Sequence, residues 1–254
     1  MTDLQLQAHA MSFGPVAEQY DAARPSYPAE LFDELERLAG RPLRDADVLD
    51  VGAGTGIATR LLAARGARVI AVEPSAGMAA RLHVVSPQIP VVKGVGDALP
   101  CHDRSADLIT YAQAFHWTDP ARSVPEAVRV LRPGGALALW WNVKDRAAGW
   151  FAEQEQRLAA ALPSYHYYSG SPLAHAELSG HGLATQTVRL HWERRVTVDS
   201  HLDDLTSRSY VAVLPAEQRA PVLAAERAAL LAAFPDGLLT EPYLLELFVA
   251  RTPA

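Results

Sequence analysis

The sequence predicts an α/β fold: a seven-stranded, mostly parallel sheet with an antiparallel last strand, helices on both faces, an N-terminal lid and a helical cap. Three observations predict it. Residues 46–142 alternate short apolar runs with helix-like stretches, the pattern of a parallel sheet built from βαβ units. The first apolar run feeds a glycine-rich turn and then an amphipathic stretch. Two more strand-like runs close the chain and pair in hairpin-like fashion, with helical sequence between them.

Residues 14–39 hold Gly14-Pro15 and Pro25-Ser26-Tyr27-Pro28 around two helical stretches, which predicts a lid or collar over 1–45. The core, 46–144, has strand candidates at 48–51, 69–72, 91–93, 108–112 and 136–141, separated by helical patterns at 57–64, 76–83 and 121–131. Asp119-Pro120 caps the last helix, with proline at the first helical position, where a missing N–H costs nothing. Arg132-Pro133-Gly134-Gly135 then ends that helix and turns the chain into the next strand. Residues 149–162 read as a helix. The Ser-, Gly-, Tyr- and His-rich stretch 164–182 reads as irregular and exposed. A strand at 187–198, a helix at 216–234 and a strand at 243–250 complete one domain over 1–254, with 145–185 and 199–235 as cap segments and 186–198 and 243–251 as the last two strands.

Composition narrows the partners. The net charge of −6 argues against a sequence-independent grip on nucleic acid, which needs clustered Lys and Arg. A single cysteine, Cys101, excludes a disulfide framework and a multi-cysteine zinc site. No run reaches the ~18 apolar residues of a membrane helix, and Asp3 stands where a signal peptide is basic, so a cytoplasmic protein is expected. His9, His191 and His201 lack partners at metal-ligand spacing, and no metal is expected.

The glycine-rich turn carries the chemistry. In Val48-Leu49-Asp50-Val51-Gly52-Ala53-Gly54-Thr55-Gly56, side chains at the glycines would block the turn and the approach of a nucleotide-like ligand to the backbone. The dehydrogenase fingerprint wants glycine or alanine three residues after its second glycine, but Ile57 stands there and Gly56 comes too early. Asp50 would repel a pyrophosphate and attract an ammonium group, although a turn carboxylate is a common plain use of aspartate. Glu73, ending the second strand, is placed to accept from two ribose hydroxyls. Together these features predict a ligand with an ammonium group and a ribose but no phosphate.

Five motifs extend this reading: Asp50 to Gly56; Glu73-Pro74-Ser75 with Met78; Gly96-Asp97-Ala98-Leu99-Pro100; Ala114-Phe115-His116-Trp117; and Leu131-Arg132-Pro133-Gly134-Gly135. In this order, over residues 10–142, the sequence resembles the class I S-adenosylmethionine-dependent methyltransferases, which implies a Rossmann-like sheet. The resemblance implies that Gly52, Ala53, Gly54, Thr55 and Gly56 line the methionine and ribose of S-adenosyl-L-methionine, Asp50 holds the amino group directly or through water, and Glu73 takes the ribose diol. It further implies that Asp97 and Ala98 meet the adenine, Pro74 and Met78 pack on the ring, and Gln113 lies along the methionine. Tyr20 and Arg24 match a segment that closes over the cofactor, with Arg24 pairing with its carboxylate. For Met78 the alternative is core filling.

Ligands in open α/β sheets bind outside the carboxyl ends of the strands, which puts Phe115, His116 and Trp117 where an acceptor meets the methyl group. His116 is the candidate catalytic residue, because its ordinary pKa near 6.5 suits a general base; the alternative is an inert aromatic corner. Trp141, Tyr165 and Tyr168 are the candidate acceptor-pocket aromatics, with Trp150, Trp192 and Tyr210 similar. Gln113-Ala114-Phe115-His116 stands where methylases of DNA bases carry an Asn-Pro-Pro-Tyr-type motif. The expected function is therefore methyl transfer to an oxygen, nitrogen or carbon of a small molecule, with S-adenosyl-L-homocysteine as product, in a monomer or homodimer. The rival readings are a nicotinamide-dependent oxidoreductase and a non-catalytic S-adenosylmethionine-binding module.

Overall fold

The structure is a computed structural model describing residues 21, 24–162, 165, 174–208, 211 and 214–253. Tyr20, Tyr168 and Tyr210 lie outside the described residues. The elements run α1 (Ala29–Ala39), β1 (Asp47–Val51), α2 (Ile57–Ala64), β2 (Arg68–Val72), α3 (Ala76–Val85), β3 (Val91–Val92) and β4 (Ala106–Ala112). A short 3-10 turn, Phe115–Trp117, leads to α4 (Pro120–Val130), β5 (Leu131–Lys144), α5 (Gly149–Ala161) and α6 (Ala174–Gly180). Then come β6 (Thr185–Thr197), α7 (Val198–Thr206), α8 (Ala216–Ala233) and β7 (Leu238–Arg251).

The seven strands form one sheet in the order β3-β2-β1-β4-β5-β7-β6. β1 pairs in parallel with β2 and β4, and β4 with β5, whereas β7 runs antiparallel to both β5 and β6. Because the order reverses between β1 and β4, their carboxyl ends open the crevice in which α/β sheets bind ligands. Alternate residues of the strands feed two cores. One face packs Ile109, Tyr111, Leu139 and Trp141 against Val124 and Ala127 of α4. The other packs Val48, Leu108 and Trp140 against α1 and α2.

Asp119 caps α4 by accepting from the Ala121 N–H at 3.0 Å, with Pro120 in the first turn, as the sequence predicts. Arg132-Pro133-Gly134-Gly135 belongs to the head of β5 as a wide bulge. Partners shift there from Ala106–Leu131 to Leu108–Ala136, and the looped-out backbone is bonded by the chain end, with the Gly134 N–H donating to the Pro253 carbonyl.

Two expectations change. Within the segment expected as a lid, α1 packs on the sheet, burying Leu31, Phe32, Leu35, Leu38 and Ala39 and setting Phe32 edge-on to Trp140. The cap is narrower. Within the stretch expected to be irregular, α6 packs Ala174 and Leu178 on the α4 face of the sheet. The cap core instead joins Leu158 of α5, Leu202 and Leu205 of α7, Leu230 of α8 and Leu239 of β7. Among the described residues no helix is long and apolar enough to cross a membrane.

Candidate functional site

β1 delivers the chain into Gly52 and Gly54 at φ 69° and 59°, left-handed backbone that glycine adopts without strain. A Cβ on Gly52 would stand 2.5 Å from the Ala114 Cβ, whereas one on Gly54 would meet no atom within 4 Å. Gly54 therefore faces open space. The loop is tied to β2, where the Val72 carbonyl accepts from the Gly52 and Ala53 N–H groups. Glu73 completes it, one carboxylate oxygen accepting from the Gly54 N–H at 2.7 Å and the other from the Ser75 N–H at 2.8 Å. Burial raises its pKa.

A cavity of about 390 Å³ starts at this loop and runs past the carboxyl ends of β4 and β5 to the cap. Gly52, Ala53, Gly54 and Thr55 line its first part with Glu73, Pro74, Met78 and Asp97. Gln113, at φ 57°, stands at its middle, an uncommon backbone for a non-glycine residue and of the kind that clusters at functional sites. Tyr111 also reaches the wall, and its hydroxyl, fully buried, has no hydrogen-bond partner among the described residues.

Three expected cofactor residues do not line this cavity. Asp50 is wholly buried beneath the loop, its oxygens taken by the Thr59 hydroxyl at 2.6 Å and the Thr110 hydroxyl at 2.8 Å; burial raises its pKa to about 6. Gly56 is buried at the start of α2, where a Cβ would stand 2.8 Å from Leu82. Ala98 is exposed on a tight turn whose N–H bonds back to the Val95 carbonyl.

The aromatic predictions divide in the same way. His116, Trp117 and Tyr165 line the cavity. Phe115 and Trp141 do not: both are buried in the sheet core, Phe115 edge-on to Tyr111 and Trp141 edge-on to Phe248. Trp141 acts through His116 instead, its indole N–H donating to His116 Nδ1 at 3.2 Å. An indole nitrogen only donates, so this Nδ1 carries no proton and the neutral imidazole keeps its hydrogen on Nε2. Burial lowers the His116 pKa to about 4, so the ring is neutral near pH 7. In this arrangement Nε2 is a hydrogen-bond donor, not the free acceptor nitrogen that a general base needs.

The far end of the cavity is polar, and of its charged residues the sequence reading named only Arg24 as part of a site. Arg24, Lys144, Asp204 and Arg208 line it with His201, Gln154 and Glu155. They come from the N-terminal segment, the end of β5, α5, α7 and just beyond α7, so no local spacing joins them. Asp204 gathers Arg208 at 2.9 Å, Lys144 at 3.7 Å and Arg24 at 3.7 Å. Burial opposes its ionisation, but these cations more than offset it and hold the carboxyl well below the usual range. Arg24 thus turns towards α7 and also donates to the Ser207 carbonyl at 3.2 Å. Behind this wall Glu241 accepts from Lys144 at 2.9 Å and from Arg194, and contacts His201.

Before α1, Arg24, Pro25 and Tyr27 line the cavity. Asp21 accepts from the Thr55 hydroxyl and from Arg60, both at 2.8 Å, while Asn142 donates to the Ser26 carbonyl at 3.0 Å. Among the described residues no cluster of His, Cys, Asp and Glu is arranged to hold a metal.

The methyltransferase-domain family model matches residues 49–139, the stretch that builds the loop, Glu73 and Gln113. An uncharacterized methyltransferase of Mycobacterium tuberculosis is 37% identical over 215 residues, covering 84% of this chain and 83% of that protein. The chain belongs to this methyltransferase family. A putative type II methyltransferase from Anaeromyxobacter dehalogenans shares the fold with TM-score 0.69 and 25% identity over 91% of this chain and 99% of that one. So does a Haemonchus contortus phosphoethanolamine N-methyltransferase, seen with S-adenosylhomocysteine, at TM-score 0.58 and 14% identity over 100% of this chain and 61% of that one.

The residues of this methyltransferase suit S-adenosylmethionine. Gly54 leaves room for a ligand against the backbone, and the Glu73 oxygens keep lone pairs for a ribose diol beside their backbone bonds. The unpartnered Tyr111 hydroxyl, beside Gly96, offers a further polar contact at that end.

Proposed function

We propose that this methyltransferase transfers the methyl group of S-adenosyl-L-methionine to an oxygen, nitrogen or carbon nucleophile of a small molecule by direct displacement, releasing S-adenosyl-L-homocysteine. The observation that carries the reading is the continuous cavity, with the glycine loop and Glu73 at one end, His116 midway and the cap at the other. When bound, the cofactor supplies a methyl group on a positively charged sulfur. The acceptor's lone pair forms the new bond to carbon as the carbon–sulfur pair returns to sulfur, so the leaving group is neutral.

The protein's task is mainly alignment, which contributes up to ~7–11 kcal/mol in favourable cases. The loop and Glu73 hold the cofactor's ribose and methionine portions. Gln113 lies along the methionine portion, His116 orients the acceptor where β4 ends, and Arg24, Pro25 and Tyr27 wall the cavity. A cavity of about 390 Å³ suits a small acceptor better than a macromolecular one.

The rival nicotinamide reading keeps Glu73 but meets Ile57 at the position of the third small residue of its fingerprint. Titration calorimetry separates the two. S-adenosylhomocysteine is expected to bind and NADH not to; binding of NADH alone would overturn the proposal.

A further inference from the structure

Tyr111, near the end of β4, is fully buried, yet its hydroxyl meets no hydrogen-bond partner among the described residues. Its ring is set edge-on to Phe115 at 5.3 Å within the sheet core, which fixes where the hydroxyl points. A buried hydroxyl left unpaired is costly, and native structures rarely keep one without a use.

The surroundings supply the use. A Cβ on Gly96 would stand 2.8 Å from the hydroxyl oxygen, which is a hydrogen-bond length, and Gly96, Asp97, Tyr111 and Thr118 all belong to the cavity wall. Thr118 Cγ2 lies 2.8 Å from the same point, so the gap beside Gly96 is a slot. It suits the edge of a flat group, and any side chain at position 96 would close it.

The hydroxyl can only be a donor to an incoming ligand of this kind. Burial raises its pKa, and the carboxylates of Asp97 and Glu126 raise it further, so the phenol keeps its proton throughout the neutral range. The slot therefore calls for an acceptor atom. In S-adenosylmethionine the ammonium and sulfonium groups accept nothing, and the ribose diol falls to Glu73. One neutral donor beside the Asp97 carboxylate suits the cofactor's carboxylate poorly. What remains is the adenine ring, which is flat, uncharged and edged with acceptor nitrogens. Pro74 and Met78, on the same part of the wall, offer apolar surface to its faces.

We infer that the Tyr111 hydroxyl donates a hydrogen bond to a ring nitrogen of the cofactor's adenine and so positions the base. The inference rests on the methyl-transfer reading for the identity of the ligand; the buried donor and the slot stand on the geometry alone.

The test is calorimetry of the full chain, wild type and Tyr111→Phe, with S-adenosylhomocysteine and its 1-deaza, 3-deaza and 7-deaza analogues, each of which replaces one ring nitrogen by C–H. The variant is expected to bind S-adenosylhomocysteine about three- to tenfold more weakly than the wild type. One analogue should cost the wild type a similar factor and the variant nothing more, while the other two keep the full difference between the proteins. The analogue that closes this cycle names the nitrogen. Without ligand, Tyr111→Phe should melt at or above the wild-type temperature, because it removes only an unpaired hydroxyl. Unchanged affinity in the variant, the same loss with all three analogues, or a lower melting temperature of the ligand-free variant overturns the inference, the last by revealing a partner within the fold. A wild type that binds none of the four ligands would instead fault the methyl-transfer reading, and the inference would fall with it.

Discussion

At the scale of single residues, the Asp50 carboxyl is wholly buried and its pKa is raised from 3.8 to about 6 by that burial, against the pull of Thr59 and Thr110. Between those values the folded chain keeps a proton that the unfolded chain has lost. Stability therefore falls as pH rises through the window, by ~3 kcal/mol at ~1.4 kcal/mol per pH unit. Asp50→Asn has no charge to bury and is expected to gain on the wild type between pH 4.5 and 7.5. Urea midpoints at the two pH values measure this, and an unchanging gap would show that the carboxylate carries no such penalty. His116 shifts the opposite way, from 6.5 down to about 4, and is common to both proteins. Because its ring stays neutral with hydrogen on Nε2, His116→Ala should lower kcat about 10- to 100-fold through loss of one positioning hydrogen bond. Near pH 6.5 no limb of the rate profile should belong to it; a limb there that vanishes in His116→Asn would restore the base role.

At the scale of elements, the cap is joined by polar contacts as much as by its apolar core. Glu226 of α8 accepts from Arg157 at 2.9 Å and from Gln154 at 3.2 Å, both on α5, and Gln154 in turn contacts His201 of α7 at 3.0 Å. Breaking a buried ionic contact by removing one partner costs ~3–5 kcal/mol, somewhat less here because Arg157 is partly exposed. Glu226→Ala should therefore speed hydrogen exchange in 149–161 and 216–233 while amides of β1, β4 and β5 keep their protection. Uniform loss of protection would mean that cap and sheet open as one unit. The β1 turn and the first three core helices were legible because glycine spacing, capping and apolar periodicity are local signals. The role of α1 was not, since an amphipathic helix beside prolines reads alike whether it covers a site or a sheet. Nor was α6, whose seven residues bury only Ala174 and Leu178.

For the whole molecule, the same distinction explains which site residues the sequence exposed. Gly52, Gly54, Glu73, Asp97 and Gln113 follow strand ends in one continuous stretch, so motif order places them together. Lys144, Asp204, Arg208 and Glu241 meet only through the crossing of β5, β7 and α7, and long-range pairing leaves no pattern in a single sequence. Asp50 and Trp141 do not line the cavity because a strand residue's neighbours depend on which face it presents, and both face packed interior. The central claim is that the cavity brings a methyl donor and a small acceptor together. Its most direct test is incubation of the full chain with methyl-labelled S-adenosylmethionine and a small-molecule extract, with Gly54→Val as the control whose side chain fills the donor's space. The account predicts label in a discrete low-molecular-weight product, matched one for one by S-adenosylhomocysteine and absent with the variant. S-adenosylhomocysteine binding without any labelled product, or equal labelling by Gly54→Val, would contradict it.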